Sequence, residues 1–233
     1  VELQSRSEQI EVKGEAPVTL ILRRSPHGPI INDALATLAG EDAGKTPIAM
    51  WWAFLETENP ILDAFYQLNR ADTLAKARAA SEKIHAPGLN IVWANASGDI
   101  GWWAAAKLPM RPSGVDPTFI LDGSSFEADK LGFVSFTDNP QEENPTRGYI
   151  VSANYQPVPD SGIEVPGYYN LPARGIRLEQ RLADNSVQWD LQNSQALQLD
   201  TGSGYTHRLL KPLLPIIKAT ASNDEQALVN LLI

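Results

Sequence analysis

The segment 89–106 constrains the fold more than any other part of the sequence. Two apolar runs, one around Ile91 and Trp93 and the other over 100–106, carry the Ile and Trp residues that strands favour. Between them lie Asn95, Ala96, Ser97, Gly98 and Asp99, a set typical of turns. The segment therefore predicts two strands joined by a tight turn.

Strand and helix patterns alternate along the rest of the chain. A β-hairpin is predicted over 8–31, because Ile10 and Val12 alternate with charged residues and the β-rich run 18–22 follows the turn 14–17. The pattern predicts strands over about 1–58, helix over 59–86, strand and loop over 89–160 and helix over 173–233. A short strand is expected at 149–151. The predicted fold class is therefore mixed α/β (α+β).

Helix boundaries are predicted from capping residues. Asn59 with Pro60 begins one helix and Asp72 begins the next, while a capping box over 222–225 begins the last. Pro212 and Pro215 are expected to kink or split the helix before it.

Composition excludes several classes of protein. The net charge of −9 and the scattered basic residues exclude a nucleic-acid partner, which requires a basic stripe or patch. No apolar run approaches 18 residues, so a membrane-spanning helix is not expected either. The absence of cysteine excludes disulfides, thiol catalysis and Cys-ligated zinc.

No familiar catalytic motif stands alone in the chain. The three histidines (His27, His85 and His207) are far apart, and neither HExxH nor GxSxG occurs. His85 is expected to cap a helix end or face solvent, and His207 to lie on a helix surface. His27 is expected to close a turn through bonds from its ring to the backbone.

Five motifs occur in one order and spacing: EQIEVKG (8–14), RRSPHGPII (23–31), NIVWANASGDIGW (90–102), GYIVSAN (148–154) and ARGIRL (173–178). Together they resemble the β-chain of the penicillin acylase (penicillin amidase) family of N-terminal nucleophile hydrolases, which includes the acyl-homoserine lactone acylases. The resemblance covers residues 8–217. It departs from the family at 152–157, where Ser-Ala-Asn-Tyr-Gln-Pro replaces Asn-Ala-Asn-Asn-x-Pro.

The resemblance implies a fold and a reaction. The fold is part of an αββα sandwich of antiparallel sheets with helical segments. In the family, a precursor (zymogen) cleaves itself to expose an N-terminal Ser, which attacks an amide carbonyl with its own α-amino group as base. Such enzymes act on the side-chain amide of β-lactams, in antibiotic biosynthesis, or on N-acyl-homoserine lactones. A periplasmic or extracellular location follows from the same resemblance.

Four residues take expected roles from this resemblance. Asn90 matches the Asn whose side chain stabilises the oxyanion, although an Asn that only caps a strand end fits the sequence too. Arg111 matches an Arg that borders the acyl pocket, although its neighbours Pro109 and Pro112 fit a plain loop Arg equally well. Trp93 is expected to contact substrate in an apolar acyl pocket, or else to pack in the core. Asp99 matches a carboxylate that helps bind structural Ca²⁺, or else serves only the turn. No other cofactor is implied.

The chain is expected to be an internal fragment of that β-chain. It begins at Val1 rather than Ser, so the nucleophile is expected upstream, and the partners are an α-chain and the remaining β-chain. A fragment of this kind should be inactive alone and should self-associate through an exposed sheet edge. The alternative is a non-catalytic, carbohydrate-binding module that uses exposed Trp with Asn and Asp of the 109–160 loops.

Overall fold

The computed structural model describes residues 2–39, 44–157, 163–202 and 204–232. Contacts within the chain divide it into two compact units, 1–143 with 159–166 and 144–158 with 167–233. Within the described residues, every helix is too short or too polar to cross a lipid bilayer.

Three small antiparallel sheets form the β-structure of the described residues. Their orders are β1-β2-β3, β4-β5-β8 and β6-β7. The strands are β1 Gln4–Ile10, β2 Val18–Ser25, β3 Gly28–Pro29, β4 Leu89–Ala94, β5 Ile100–Ala105, β6 Pro109–Met110, β7 Gly132–Phe133 and β8 Gln141–Glu143. The hairpins predicted around 14–17 and 95–99 therefore both form.

Helices occur in both units. In the described part of the chain they are α1 Asn32–Ala39, α2 Ile61–Leu68, α3 Leu74–Ser81, α4 Ala173–Leu182, α5 Leu191–Gln198, α6 Gly204–Thr220 and α7 Gln226–Val229. Helices α2, α3 and α4–α7 lie in the segments predicted to be helical. The helix α1 was not predicted, since the segment 1–58 was interpreted as strand.

The core of the first unit lies between the sheet β4-β5-β8 and the helix pair α2–α3. Small residues of the helices (Ala64, Ala77 and Ala80) are fully buried, which lets the sheet approach closely. Trp103 of β5 and Ile84, just after α3, are the largest side chains in this core with no exposed surface. The core therefore fixes one face of β4 and β5 against a rigid support.

Two predicted helix caps are wrong in detail. The Oγ1 atom of Thr73, not Asp72, accepts a hydrogen bond from the backbone of Lys76 at the start of α3, while Asp72 pairs with the Lys76 ammonium at 2.7 Å. Asn59 does not cap α2. Its Oδ1 instead accepts from the backbone N–H groups of His85 and Ala86, which ties the start of α2 to the end of the helical region.

Two predictions for later segments need correction. Residues 149–151 form no strand with the described chain, and left-handed backbone at Asn144 and Gly148 precedes them. The helix α6 continues through Pro212 and Pro215, so it is not split there, and a kink at these residues stays a prediction. At the predicted capping box, Glu225 accepts from the backbone N–H of Ser222, although α7 begins only at Gln226. The side chain of His207 and residue 233 lie outside the described residues.

Candidate functional site

Asn90 lies on β4, in the best-packed sheet of the chain. The register of the hairpin places it opposite Ala104 of β5, with Val92 opposite Trp102. Since successive strand residues alternate between faces, Asn90, Val92 and Trp102 share one face of the sheet. Asn90 is exposed and Val92 is 58% exposed, so this face of β4 is open to solvent.

The carboxamide of Asn90 is held at its oxygen. The Nε1–H of Trp102 donates a hydrogen bond to Oδ1 at 2.9 Å. In the described part of the chain, no acceptor is hydrogen-bonded to Nδ2 of Asn90. The side chain therefore presents an uncommitted N–H₂ group, which is the group that an oxyanion requires.

Trp93 lies on the other face of β4. It is opposite Gly101, and it shares this face with Ile91 and Trp103. Since this is the face that packs on α3, the structure does not bring Trp93 together with Asn90. A contact between Trp93 and substrate stays a prediction.

Beneath this sheet, a charged network anchors β5 and β8 to α3. Glu143 of β8 accepts hydrogen bonds from the guanidinium of Arg78 and from Nε1–H of Trp103, the latter at 2.9 Å. The hydrogen bond from Arg78 holds the pKa of the Glu143 carboxyl below its usual value, against the opposing effect of burial. This pair could not be predicted from the sequence, since its members are 65 positions apart.

Asp99 closes the turn between β4 and β5. Its carboxylate accepts from the side-chain amide of Asn95 at 3.0 Å, and Oδ1 of Asn95 accepts from the backbone N–H groups of Ser97 and Asp99. This arrangement accounts for the sequence Asn-x-Ser-Gly-Asp as a self-capped turn. Across residues 2–39, 44–157, 163–202 and 204–232, no three His, Asp or Glu side chains gather as a metal site would require. Calcium binding through Asp99 stays a prediction.

Arg111 comes directly after β6, a strand of a different sheet from the one that carries Asn90. Its Nη1 donates to the carbonyl of Ala128 at 3.0 Å, and its guanidinium lies 5.4 Å from the ring centre of Trp51. Lys130 approaches the same ring from 5.9 Å and pairs with Glu56. The carbonyl of Ala128 and the ring of Trp51, from two different segments, therefore hold this arginine beside an aromatic side chain.

His27 lies beside a small cavity. Its ring packs on Phe126 with centroids 5.4 Å apart, and Nε2 lies 3.0 Å from Asp129, out of line for a hydrogen bond. Ser25 closes the turn, by accepting from the backbone N–H of His27 and donating to the carbonyl of Gly28. The prediction that the His27 ring closes the turn is therefore wrong, because the hydroxyl of Ser25 closes it and the ring packs on Phe126.

The cavity next to His27 measures about 80 Å³ and is lined in part by Arg24, Met50, Trp51, Trp52 and Glu56. Pockets for drug-sized ligands enclose about 300–1,000 Å³. The cavity is therefore too small to hold an acyl chain by itself.

Two of the sequence motifs lock together in the second unit. Arg174 donates to the carbonyl of Ala153 and to Oδ1 of Asn154, whose φ of 60° is left-handed. A Cβ at Gly175 would lie 2.5 Å from the ring of Tyr155, so only glycine leaves room for that ring. The hydroxyl of Tyr155 donates to the carbonyl of Val151. These contacts give Tyr155 a structural position at the point where the sequence departs from the family pattern.

The structure thus brings Asn90 and Asp99 onto one hairpin, with Trp93 on its reverse face and Arg111 on another sheet. The hydrogen bond from Trp102 to Asn90 was not predicted from the sequence. Asn90 pairs with Ala104, and Trp102 lies two residues from Ala104 on the same face of the sheet. The register of the hairpin, once known, would therefore have pointed to this contact.

Relatives with known names match most of this chain. It is 31% identical over 207 residues to the acyl-homoserine lactone acylase QuiP of Pseudomonas fluorescens, a match that covers 88% of this chain and 25% of the relative. It is 28% identical over 160 residues to penicillin G acylase of Escherichia coli, covering 69% of this chain and 18% of that protein. The chain therefore spans about a quarter or less of the length of these relatives.

A solved structure has the same fold. The thermostable penicillin G acylase from Alcaligenes faecalis superposes with a TM-score of 0.77 at 23% identity, over 98% of this chain and 40% of that one. The predicted fold class, mixed α/β with antiparallel sheets as in N-terminal nucleophile hydrolases, is confirmed. The family model for penicillin amidase matches residues 1–232. The chain therefore belongs to the penicillin amidase family.

Proposed function

We propose that this chain is a segment of an amidohydrolase that cleaves a linear amide into a carboxylic acid and an amine. Membership of the penicillin amidase family supports this proposal, as do the names of the relatives, which are acylases. The substrate is an N-acyl-homoserine lactone or the side-chain amide of a β-lactam. The nucleophile is an N-terminal Ser outside the 233 residues, so the chain is inactive alone.

The proposed reaction requires this chain to supply a hydrogen-bond donor to the oxyanion. The Ser Oγ attacks the carbonyl carbon, its proton passes to the α-amino group, and the carbonyl π electrons move to the oxygen. The resulting oxyanion needs hydrogen-bond donors aimed at it before the reaction begins. The amine then leaves with a proton, and water hydrolyses the acyl-enzyme by the same steps. Asn90 is proposed as one of these donors.

The observation that carries the proposal is the state of the Asn90 side chain. It is exposed on the open face of β4, and its Oδ1 is occupied, while its N–H₂ group has no acceptor among the residues that the structure describes. An Asn that merely capped a strand end would spend its donors on nearby backbone carbonyls. Asn139, just before β8, shows that alternative beside the same sheet, because its buried Nδ2 donates to the carbonyls of Ala104 and Ala106, both at 2.9 Å.

The remaining roles are proposed on the same basis. Arg111 borders the acyl group, with its guanidinium fixed beside Trp51. Trp93 contacts substrate only from the reverse face of β4, and Asp99 contributes to a structural calcium site in the larger protein. An α-chain and the remaining β-chain are the partners, and the enzyme matures from a zymogen in the periplasm or outside the cell.

No observation favours the carbohydrate-binding alternative. The 109–160 loops were expected to supply the Asn and Asp of that surface beside exposed Trp. The exposed tryptophans Trp52 and Trp189 lie outside these loops in the sequence, and Trp52 stacks on Phe54.

The test is Asn90→Ala in the full-length, matured enzyme that contains this segment. Loss of one oxyanion donor should lower kcat by on the order of 10²–10³ with KM little changed, because the bond is made mainly in the transition state. Asn95→Ala is the matched control. It removes the same side chain from the turn five residues away and should lower stability while kcat stays near wild type. Chain cleavage is measured first, because immature enzyme would lower kcat for another reason. A matured Asn90→Ala enzyme that keeps more than about a third of wild-type kcat would contradict the proposal.

A further inference from the structure

We infer that Trp102 is a positioning residue that fixes the side-chain amide of Asn90 with its N–H₂ group toward the reacting carbonyl. This inference rests on the proposed function of Asn90 and adds the residue through which the protein controls that function. Trp102 contacts no substrate in this scheme. It acts through a single hydrogen bond.

The bond determines which way the amide is turned. An indole N–H only donates, so it must meet the oxygen of Asn90 rather than the nitrogen. With Nε1 of Trp102 at 2.9 Å from Oδ1, rotating the amide by half a turn would place two donors against each other. The indole therefore selects the one orientation in which both N–H bonds of Asn90 point away from Trp102.

Trp102 is itself held firmly. It is 8% exposed, and it lies in the central strand β5, opposite Val92 on one side and Glu142 on the other. Asn90, by contrast, is exposed on a strand that has a partner on one side only within the described sheet. A rigid donor therefore orders a side chain that would otherwise rotate in solvent.

The same bond also improves the donor. Hydrogen bonds in a chain polarise one another, so an amide that accepts at its oxygen donates more strongly from its nitrogen. Fixed orientation matters more, since donors stabilise a developing oxyanion best when they need no reorganisation during the reaction. The consequence of losing the indole N–H should therefore appear in kcat rather than in KM.

Trp103 supplies a control inside the same strand. It is the next residue, it is of the same type, and its Nε1–H also donates over 2.9 Å. Its acceptor is Glu143, on the opposite face of the sheet. Replacing either tryptophan by Phe removes one indole N–H and the same part of the ring system. The two variants therefore differ mainly in which face of the sheet loses a hydrogen bond.

The experiment compares Trp102→Phe and Trp103→Phe in the full-length, matured enzyme, with a chromogenic amide as substrate. Trp102→Phe should lower kcat about five- to tenfold with KM little changed, since one neutral hydrogen bond is lost. Trp103→Phe should lower the unfolding midpoint and leave kcat close to wild type. In an Asn90→Ala background, Trp102→Phe should cause no further loss of kcat, because its effect passes through Asn90.

The outcomes separate this inference from the proposed function. If Asn90→Ala loses on the order of 10²–10³ in kcat while Trp102→Phe matches wild type, the positioning role is wrong and the oxyanion role stands. If Asn90→Ala keeps its kcat, both are wrong. An equal loss from Trp102→Phe with and without Asn90 would also overturn the positioning role. Should Trp102→Phe fail to fold, β-(3-benzothienyl)alanine at position 102 keeps the indole shape without the N–H, and the same outcomes apply.

Discussion

The sheets β4-β5-β8 and β1-β2-β3 have the same number of strands and the same antiparallel pairing, yet they differ in what lies against them. Every residue of β1, and of β2 up to Arg24, is exposed. In β5, by contrast, four of six residues are buried, and Trp103 has no exposed surface. Backbone pairing alone therefore does not distinguish a sheet that carries a core from one that does not.

The difference has a functional meaning. A catalytic donor must hold its position to within a fraction of an ångström, and only a packed strand provides such support. Asn90 lies on the packed sheet, where α3 covers one face and Asn90 and Val92 of β4 are exposed on the other. On the hairpin β1–β2, the apolar side chains of Ile10, Val18, Leu20 and Leu22 share a face by the strand register, and all are more than 40% exposed. That hairpin fits an interaction surface better than a site of chemistry.

The largest effect is expected for Trp103→Ala. It removes a fully buried indole and the hydrogen bond to Glu143, so the free energy of unfolding should fall by about 3–5 kcal/mol. Urea unfolding followed by circular dichroism measures this loss. Trp52→Ala is the control, since Trp52 is 45% exposed and should cost much less. Equal losses for the two variants would remove the distinction between packed and exposed regions.

A smaller effect is expected for Gly101→Ala. A Cβ at this position would lie 2.5 Å from the ring of Trp103 and 3.0 Å from Leu74, so α3 and β5 must separate or the ring must leave its rotamer. Such overpacking costs about 1–3 kcal/mol. The control is Gly123→Ala, where the nearest atom beyond the chain neighbours is 3.6 Å away. A shift in melting temperature for Gly123→Ala as large as that for Gly101→Ala would show that backbone effects, not packing, dominate.

The third effect depends on pH and comes from Glu143. Its pKa is lowered in the folded protein, chiefly by the hydrogen bond from Arg78. The stabilisation is therefore present above the unfolded pKa, near 4.5, and is lost as the pH falls through the folded value. Glu143→Gln should cost about 1–2 kcal/mol at pH 7, and the difference from wild type should shrink in acid.

Urea unfolding at pH 7 and at pH 3 measures this change, with Glu82→Gln as the control. Glu82 is exposed at the end of α3, so its substitution alters the same charge without touching the sheet. A difference between Glu143→Gln and wild type that is equally large at both pH values would show that packing, and not the ion pair, is responsible.

The sequence predicts those parts of the packed sheet that depend on local pattern. The two strands, the turn 95–99 and the helices α2 and α3 follow from periodicity and turn residues. The opposite faces of Asn90 and Trp93 also follow, because an odd separation along a strand reverses the face. One substrate could therefore reach both residues only from the two faces of the hairpin, and the contact with Trp93 stays a prediction.

Contacts between residues that are distant in the sequence could not be predicted from it. The bond from Trp102 to Asn90 depends on the register of the hairpin, and the pair of Arg78 with Glu143 joins residues 65 positions apart. The caps failed for a related reason. Asn59 and Asp72 have residue types that cap helices well, but the distant backbone N–H of Ala86 takes the side chain of Asn59, and the ammonium of Lys76, four residues along, takes that of Asp72. Local propensity is a weak guide wherever such a partner exists.

The smallest effect on stability is expected for the exposed hairpin. Leu20→Lys places a charge on the apolar face of β2, and Thr19→Lys places the same charge on the opposite face. Since both positions are exposed, neither should change the free energy of unfolding by more than about 0.5 kcal/mol. The two variants should differ in self-association, which we expect through this hairpin because β1 pairs on one side only within the described sheet and the apolar face beside that edge is exposed. Sedimentation of the concentrated wild-type chain should show dimers, which Leu20→Lys weakens and Thr19→Lys retains. A strictly monomeric wild-type chain would contradict the expectation, and a loss of stability above about 1 kcal/mol for Leu20→Lys would mean that this face is packed after all.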